Sequence, residues 1–123
     1  PYDLEILEHC KKYWLNVLHI HGENIYFDKL ANLNFQVFNW HDQQTPPDLA
    51  MAKTIINGAV CGGLRQWESL VNGNPAEIQK EADLARSLTN GERFILGTGC
   101  VLPITAPHSN ILAARRAYES VQD

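Results

Sequence analysis

Short runs of apolar residues alternate along the chain with longer segments in which apolar positions recur at helical spacing. The runs are rich in branched and aromatic residues and are bounded by polar or glycine-containing turns, a pattern typical of buried strands. They predict four strands, over residues 13–20, 35–40, 59–61 and 93–96.

The segments between these runs predict helices, and two of them carry clear start signals. The TPPD segment at residues 45–48 supplies Thr45 as an N-cap, a proline at the first helical position and an acid at the third. Asn74 is a second N-cap, followed by Pro75 and by Glu77 at the capping-box position. Helices are therefore predicted over residues 1–12, 24–33, 49–56, from residue 75 to the Asn90-Gly91 stop, and over 108–121.

The order of elements predicts an α/β fold in which a helix is followed by four strand–helix units with parallel strands. Residues 64–72 are a connecting segment with room for one turn of helix. A doubly wound sheet and a (β/α)8 barrel both have this order, but a whole barrel needs about 250 residues. At 123 residues, the chain is a single domain or fragment and corresponds to half of a barrel at most.

Composition and charge exclude several classes of function. The 10 basic residues are outnumbered by 14 acidic ones, so we expect neither a nucleic-acid partner nor a membrane partner. Three widely spaced cysteines favour a reduced, cytoplasmic protein over a disulfide framework. The chain begins at Pro1 without a signal-peptide pattern, and we expect it to be a soluble segment of a longer protein.

Candidate chemistry gathers at the predicted carboxyl ends of the strands, which meet on one face of a parallel α/β fold. His19 and His21 are two residues apart, so in extended backbone both imidazoles point to the same side. Cys100 follows the fourth strand and can face them across the mouth. Two imidazoles and one thiolate are the protein ligands of a catalytic zinc that keeps one position open. The alternative is a hydrogen-bonded histidine pair without a metal.

Three further residues at the strand ends are candidates for substrate binding: Trp40, Gly62 and Gly99. The two glycines would allow a ligand to approach the backbone closely, or would simply permit tight turns. Packing is the alternative role for Trp40 and also for Trp67. No catalytic residue is assigned by the pattern.

Several segments resemble the C-terminal part of the uroporphyrinogen decarboxylase superfamily, which includes zinc-dependent, corrinoid-linked methyltransferases. Residues 18–22 (LHIHG) resemble the family's His-Ile-Cys-Gly segment. Residues 39–53 resemble its "dw... dlaeAK" stretch, and residues 74–78 its "tPeEi" helix start. Residues 94–107 (FILGTGCVLPITAP) are similar to "fIlstGC.iPpdtP", with Asn110 at the following "eN" position.

The resemblance implies the C-terminal half of a (β/α)8 barrel. It also implies zinc held by His19, His21 and Cys100, with His21 where the methyltransferases have cysteine. The implied reaction moves a methyl group from a corrinoid on a partner protein to a small-molecule thiol.

Two alternatives remain open. One is decarboxylation of uroporphyrinogen III, a tetrapyrrole substrate. However, the Gly-His-Gly and Gly-Asn-x-Asp-Pro motifs of the decarboxylases are replaced here by residues 99–101 (GCV) and 62–66 (GGLRQ). The other alternative is a non-catalytic fragment that needs the N-terminal half or a second copy, as a homo-oligomer.

Overall fold

The computed structural model describes residues 2–119 and contains one sheet of four parallel strands. The strands lie in the order β1-β2-β3-β4, which is also their order along the chain. They are β1 (Val17–His19), β2 (Val37–Asn39), β3 (Ala59–Leu64) and β4 (Phe94–Thr98). The helices are α1 (Tyr2–Cys10), α2 (Phe27–Leu30), α3 (Leu49–Ile55), α4 (Pro75–Thr89) and α5 (His108–Glu119), and a π-helical turn spans Gln66–Val71.

Helices cover one face of the sheet. The pleat of each strand directs every second side chain toward this face. Phe38 and Val60, which are partners in the β2–β3 register, are buried with Leu49 and Ala52 of α3. α4 packs on β3 and β4, and α5 packs on α4. On the edge strands, Val17 and Ile95 remain 54% and 46% exposed. Parallel strands that alternate with helices on one side confirm the predicted α/β fold and correspond to part of a (β/α)8 barrel.

The best-signalled helix has the predicted start. The Asn74 side chain accepts from the backbone N–H groups of Ala76 and Glu77, and Glu77 accepts from the Asn74 N–H, which completes the capping box. α4 ends before Asn90, which has a left-handed backbone with φ of 54°. The signals of this helix lie within a few residues of sequence, and they could therefore be read locally.

The predicted N-cap at Thr45 is wrong. α3 begins after Asp48, whose side chain accepts from the Met51 N–H at 2.8 Å. The Thr45 hydroxyl donates instead to the Gly22 carbonyl, 3.2 Å away. The two prolines therefore lie in the loop before the helix, and the Thr45 side chain ties this loop to the turn after β1.

Several predicted elements differ in length from those observed. α1 ends at residue 10 instead of 12, and residue 1 of its predicted range lies outside the described residues. β2 spans residues 37–39 instead of 35–40, and β4 spans 94–98 instead of 93–96. β1 is shorter than residues 13–20, since Tyr13 closes a turn onto Cys10 and pairing with β2 starts at Val17. α2 is shorter than residues 24–33 because Tyr26 has φ of 48°, outside the helical region. β3 is longer than residues 59–61, since Gly62, Gly63 and Leu64 continue the register with β4.

The last predicted helix and the predicted connecting segment are both present. α5 starts at residue 108 as predicted, and the final residues of its predicted range, 120–121, lie outside the described residues. Residues 64–72 contain the end of β3 and a π-helical turn, in agreement with the predicted connecting segment that has room for one turn of helix. No helix among residues 2–119 is long and apolar enough to span a membrane.

Candidate metal centre

Three of the four strands are followed by a metal-ligating side chain at the same distance. His21, His41 and Cys100 each lie two residues beyond the last residue of β1, β2 and β4, respectively. His19 is itself the last residue of β1. Because the strands are parallel and in register, these residues reach the same edge of the sheet.

The structure brings His19, His21 and Cys100 together. One ligand atom from each residue lies within 4.8 Å of the other two, and this is the group of candidate metal ligands found among residues 2–119. The histidines are exposed and Cys100 is half-buried. Two imidazole nitrogens and one sulfur suit zinc, whose bonds to these atoms are about 2.0–2.3 Å long, and a modest inward movement would let all three reach one ion.

Asn39 fixes the orientation of the His19 ring. Its amide nitrogen donates to two backbone carbonyls, those of Cys61 and Thr98, each at 2.9 Å. Both amide hydrogens are therefore used, and the side-chain oxygen faces His19 Nδ1 at 2.7 Å. Since that oxygen can only accept, Nδ1 carries the proton and the lone pair of Nε2 is free for a metal.

A close backbone contact positions the turn that carries Cys100. A Cβ atom at Gly99 would lie 2.6 Å from His41 Cα and 2.7 Å from the Trp40 carbonyl oxygen. Only glycine allows the turn after β4 to approach the turn after β2 this closely. The Thr98 hydroxyl also donates to the Cys100 carbonyl at 2.5 Å. Gly99, predicted as a substrate-binding residue, thus lies in close backbone contact with the turn after β2, next to Cys100.

The other two predicted substrate-binding residues also have packing roles. Trp40 is completely buried; its indole N–H donates to the Pro47 carbonyl, and its ring centroid lies 4.8 Å from that of Phe27. Gly62 lies inside β3 rather than after it, and a Cβ there would lie 2.3 Å from Asp42 Oδ1. The core therefore encloses the Trp40 ring, and the Asp42 carboxylate occupies the space beside Gly62.

His41 is the functional candidate that the sequence pattern did not single out. Its ring centroid lies 5.2 Å from that of His21 in an edge-to-face arrangement. Burial lowers the pKa of His41, and the neighbouring His21 and His19 lower it further, while Glu68 acts in the opposite direction. Within residues 2–119, its Nε2 atom has no hydrogen-bond partner. Its spacing from the end of β2 could have identified it, had the strand boundaries been known.

Four parallel strands with helices on one face and a histidine–cysteine cluster at their carboxyl ends define part of a (β/α)8-barrel protein. The sequence profile of the uroporphyrinogen decarboxylase (URO-D) family matches residues 1–121. The chain belongs to this family, as its segments predicted.

Comparison with solved structures gives the same fold. A methyltransferase from Methanosarcina mazei is similar to this chain with a TM-score of 0.72 and 24% sequence identity. The similarity covers 89% of this chain and 32% of that chain, so the chain spans about a third of its neighbour's length. No curated protein sequence matches the chain.

Proposed function

We propose that this chain carries the metal centre of a zinc-dependent methyltransferase that moves a methyl group from a corrinoid protein to a thiol. The observation that carries the proposal is the convergence of His19, His21 and Cys100 at the carboxyl ends of two strands. Membership of the URO-D family and the fold shared with a methyltransferase support it.

Three residues would bind the metal at this centre, and two neighbouring residues would position them. His19 Nε2, one ring nitrogen of His21 and the Cys100 sulfur would hold the ion, and the tetrahedral preference of zinc leaves a fourth position for substrate. Asn39 keeps His19 in the tautomer that can bind a metal. Gly99 keeps the Cys100 turn against the turn after β2.

Zinc bound there would lower the pKa of an incoming thiol, so that the sulfur is a nucleophile at neutral pH. In the net reaction the thiol loses its proton and its sulfur forms a bond to the methyl carbon. The electron pair of the broken carbon–cobalt bond stays on the corrinoid. With two neutral imidazoles and one thiolate, the ligand set leaves a net positive charge on the centre, which favours the ionised form of the thiol.

Metal analysis tests the proposal directly. We expect the purified chain to hold close to one zinc per molecule and Cys100→Ser to lose most of it. Cys10→Ser is the matched control, because Cys10 ends α1 and is not among the clustered ligands. Absence of stoichiometric zinc, or undiminished zinc in Cys100→Ser, would contradict the metal centre. Transfer of methyl from methylcobalamin to a thiol by the parent protein tests the reaction itself.

Uroporphyrinogen decarboxylation is the second candidate, favoured by the description of the matching family. A substrate with many carboxylates needs several free arginines. Here Arg65 pairs with Glu81, Arg86 donates to the Ala117 carbonyl, and Arg93 donates to carbonyls after α3. These arginines are therefore engaged in contacts within the chain. Turnover of a porphyrinogen by the parent protein without added metal would favour this candidate.

The exposed edges of the sheet support a third candidate, a unit that functions only with further strands. Val17 on β1 and Ile95 on β4 are about half exposed, and unpaired edge strands tend to recruit partners. We expect sedimentation of the 123-residue chain to show self-association. A stable monomer that unfolds cooperatively would contradict this dependence.

A further inference from the structure

An open groove of about 550 Å³ lies beside the histidine cluster. His21 belongs to both, so a molecule in the groove would lie next to the candidate metal centre. The groove lies between the turns that follow β1 and β2 and the start of the π-helical turn. The side chains that matter for its chemistry are those of Glu23, His41, Gln44, Gln66 and Trp67.

The charge of the groove is negative. Glu23 lines it, and no lysine or arginine does so within the described part of the chain. Glu68 is close enough to act electrostatically on His41. The nearest arginine along the π-helical turn, Arg65, has its Nε atom 2.6 Å from the buried Glu81 carboxylate. An anionic ligand would therefore have no cationic partner here, whereas a cation would face uncompensated carboxylate charge.

An aromatic face accompanies this charge. Trp67 is 51% exposed although it belongs to a structured turn, and its carbonyl accepts hydrogen bonds from both the backbone and the side chain of Asn72. Its position is thus held while much of its ring surface stays uncovered. Insertions of π-helix occur frequently at functional sites, and the face of an indole ring attracts cations more strongly than other aromatic rings do.

An unpartnered acceptor lies in the same wall. Within residues 2–119, Gln66 Oε1 is buried and has no hydrogen-bond partner. An amide oxygen can only accept, so its natural partner is an N–H or O–H group. Buried polar atoms without partners are uncommon in native structures and call for an explanation such as a ligand or a water molecule.

From these features we propose that the groove binds an ammonium group, and that the acceptor substrate is a small aminothiol. The ammonium would lie against Trp67 and near Glu23, with an N–H available to Gln66, and the sulfur would point toward His21. The identity of the acceptor rests on the proposed function. Binding of the ammonium group in the groove does not.

Binding measurements with S-methylated analogues test the groove without relying on the metal. We expect calorimetry or NMR titration of the chain to show about five- to tenfold tighter binding of 2-(methylthio)ethylamine than of its neutral counterpart 2-(methylthio)ethanol, the size expected for a cation–π contact beside a carboxylate. Glu23→Gln and Trp67→Leu should each reduce this preference to about twofold or less. Glu92→Gln and Trp14→Leu are matched controls on exposed residues away from the groove.

The outcomes separate the two proposals. Equal binding of the two analogues, or equal losses in Trp67→Leu and Trp14→Leu, would overturn the ammonium site whatever the zinc content. If the purified chain holds no zinc but still prefers the ammonium analogue, the preference would support the groove, and the lack of zinc would count against the metal centre. With the zinc-loaded parent protein, cysteamine should be methylated faster than 2-mercaptoethanol, and mercaptoacetate more slowly than either. The reverse order would overturn the aminothiol assignment.

Discussion

The Asn39 side chain places a fixed hydrogen-bond acceptor 2.7 Å from His19 Nδ1. The two residues are partners in the β1–β2 register, so their backbones are held side by side by the sheet. Two carbonyls, from β3 and β4, prevent the Asn39 amide from reversing. Hydrogen bonds to β3 and β4 thus fix the Asn39 side chain on β2, and Asn39 in turn determines which nitrogen of His19 carries the proton.

Asn39→Ala should weaken metal binding by about 10- to 100-fold, the usual cost of removing the partner that orients a histidine ligand. The reason is that His19 would then sample both tautomers and other ring orientations. Titration with Co²⁺, followed by its visible absorption in competition with a chelator, measures the affinity.

Asn32→Ala is the matched control for this experiment, because Asn32 is exposed and makes only a long bond to the Asp28 carbonyl. Its Co²⁺ affinity should equal that of the unmodified chain. If Asn39→Ala binds Co²⁺ as tightly as Asn32→Ala does, Asn39 does not orient the ligand.

Gly99→Ala should lower metal affinity through the position of Cys100. The added methyl group would meet only backbone atoms, at His41 and Trp40, so the turn must move as a whole. Gly97→Ala is the matched control, because a Cβ there meets the Cys61 sulfur at 3.1 Å and no backbone atom. We expect the Co²⁺ affinity of Gly99→Ala to be at least about tenfold lower than that of Gly97→Ala. This is the loss that usually follows when a residue that supports a metal ligand is changed. Equal affinities would mean that the turn is not set by this contact.

The cluster could be predicted from sequence because its two histidines are two residues apart in an extended segment and Cys100 follows another strand of the same parallel sheet. The partners of Asn39 could not, since its hydrogen bonds reach residues 22 and 59 positions away. A turn of helix could be placed within residues 64–72, but its π-helical form could not, because its backbone repeat differs from the 3.6-residue period by which helices are recognised. The burial of Trp40 could not be predicted either, because a tryptophan next to a strand end looks the same in sequence whether it faces the core or solvent.

Asp42 should make the stability of the chain depend on pH. Burial raises the pKa of its carboxyl from the ordinary 3.8 to about 6, and Glu81 and Asp48 add to the rise, against hydrogen bonds from the backbone N–H groups of Gly63 and of Asp42 itself. Between these values the folded state holds a proton that the unfolded state releases. The free energy of unfolding should therefore fall as pH rises from about 4 to 6, by roughly 2–3 kcal/mol from this group.

Asp42→Asn should remove that dependence, because an amide stays neutral and can still accept from Gly63. Urea unfolding should show the variant roughly 2 kcal/mol more stable than the unmodified chain at pH 8 and nearly equal to it at pH 4. Asp28→Asn, at an exposed position, is the matched control and should change the free energy of unfolding by the same amount at pH 4 and at pH 8. A constant difference between Asp42→Asn and the unmodified chain across this range would contradict the raised pKa.

The Glu81 carboxylate should account for much of the stability of the π-helical turn. It is buried on α4 and accepts from the Arg65 N–H at 3.1 Å, from Arg65 Nε at 2.6 Å and from the Ser69 hydroxyl at 2.6 Å. Glu81→Ala leaves Ser69, which is 2% exposed, without this partner, and should cost roughly 2–3 kcal/mol in urea unfolding. Asp83→Ala, on the exposed side of the same helix, should cost about 0.5 kcal/mol or less. Similar costs for the two variants would show that the turn is held by other contacts.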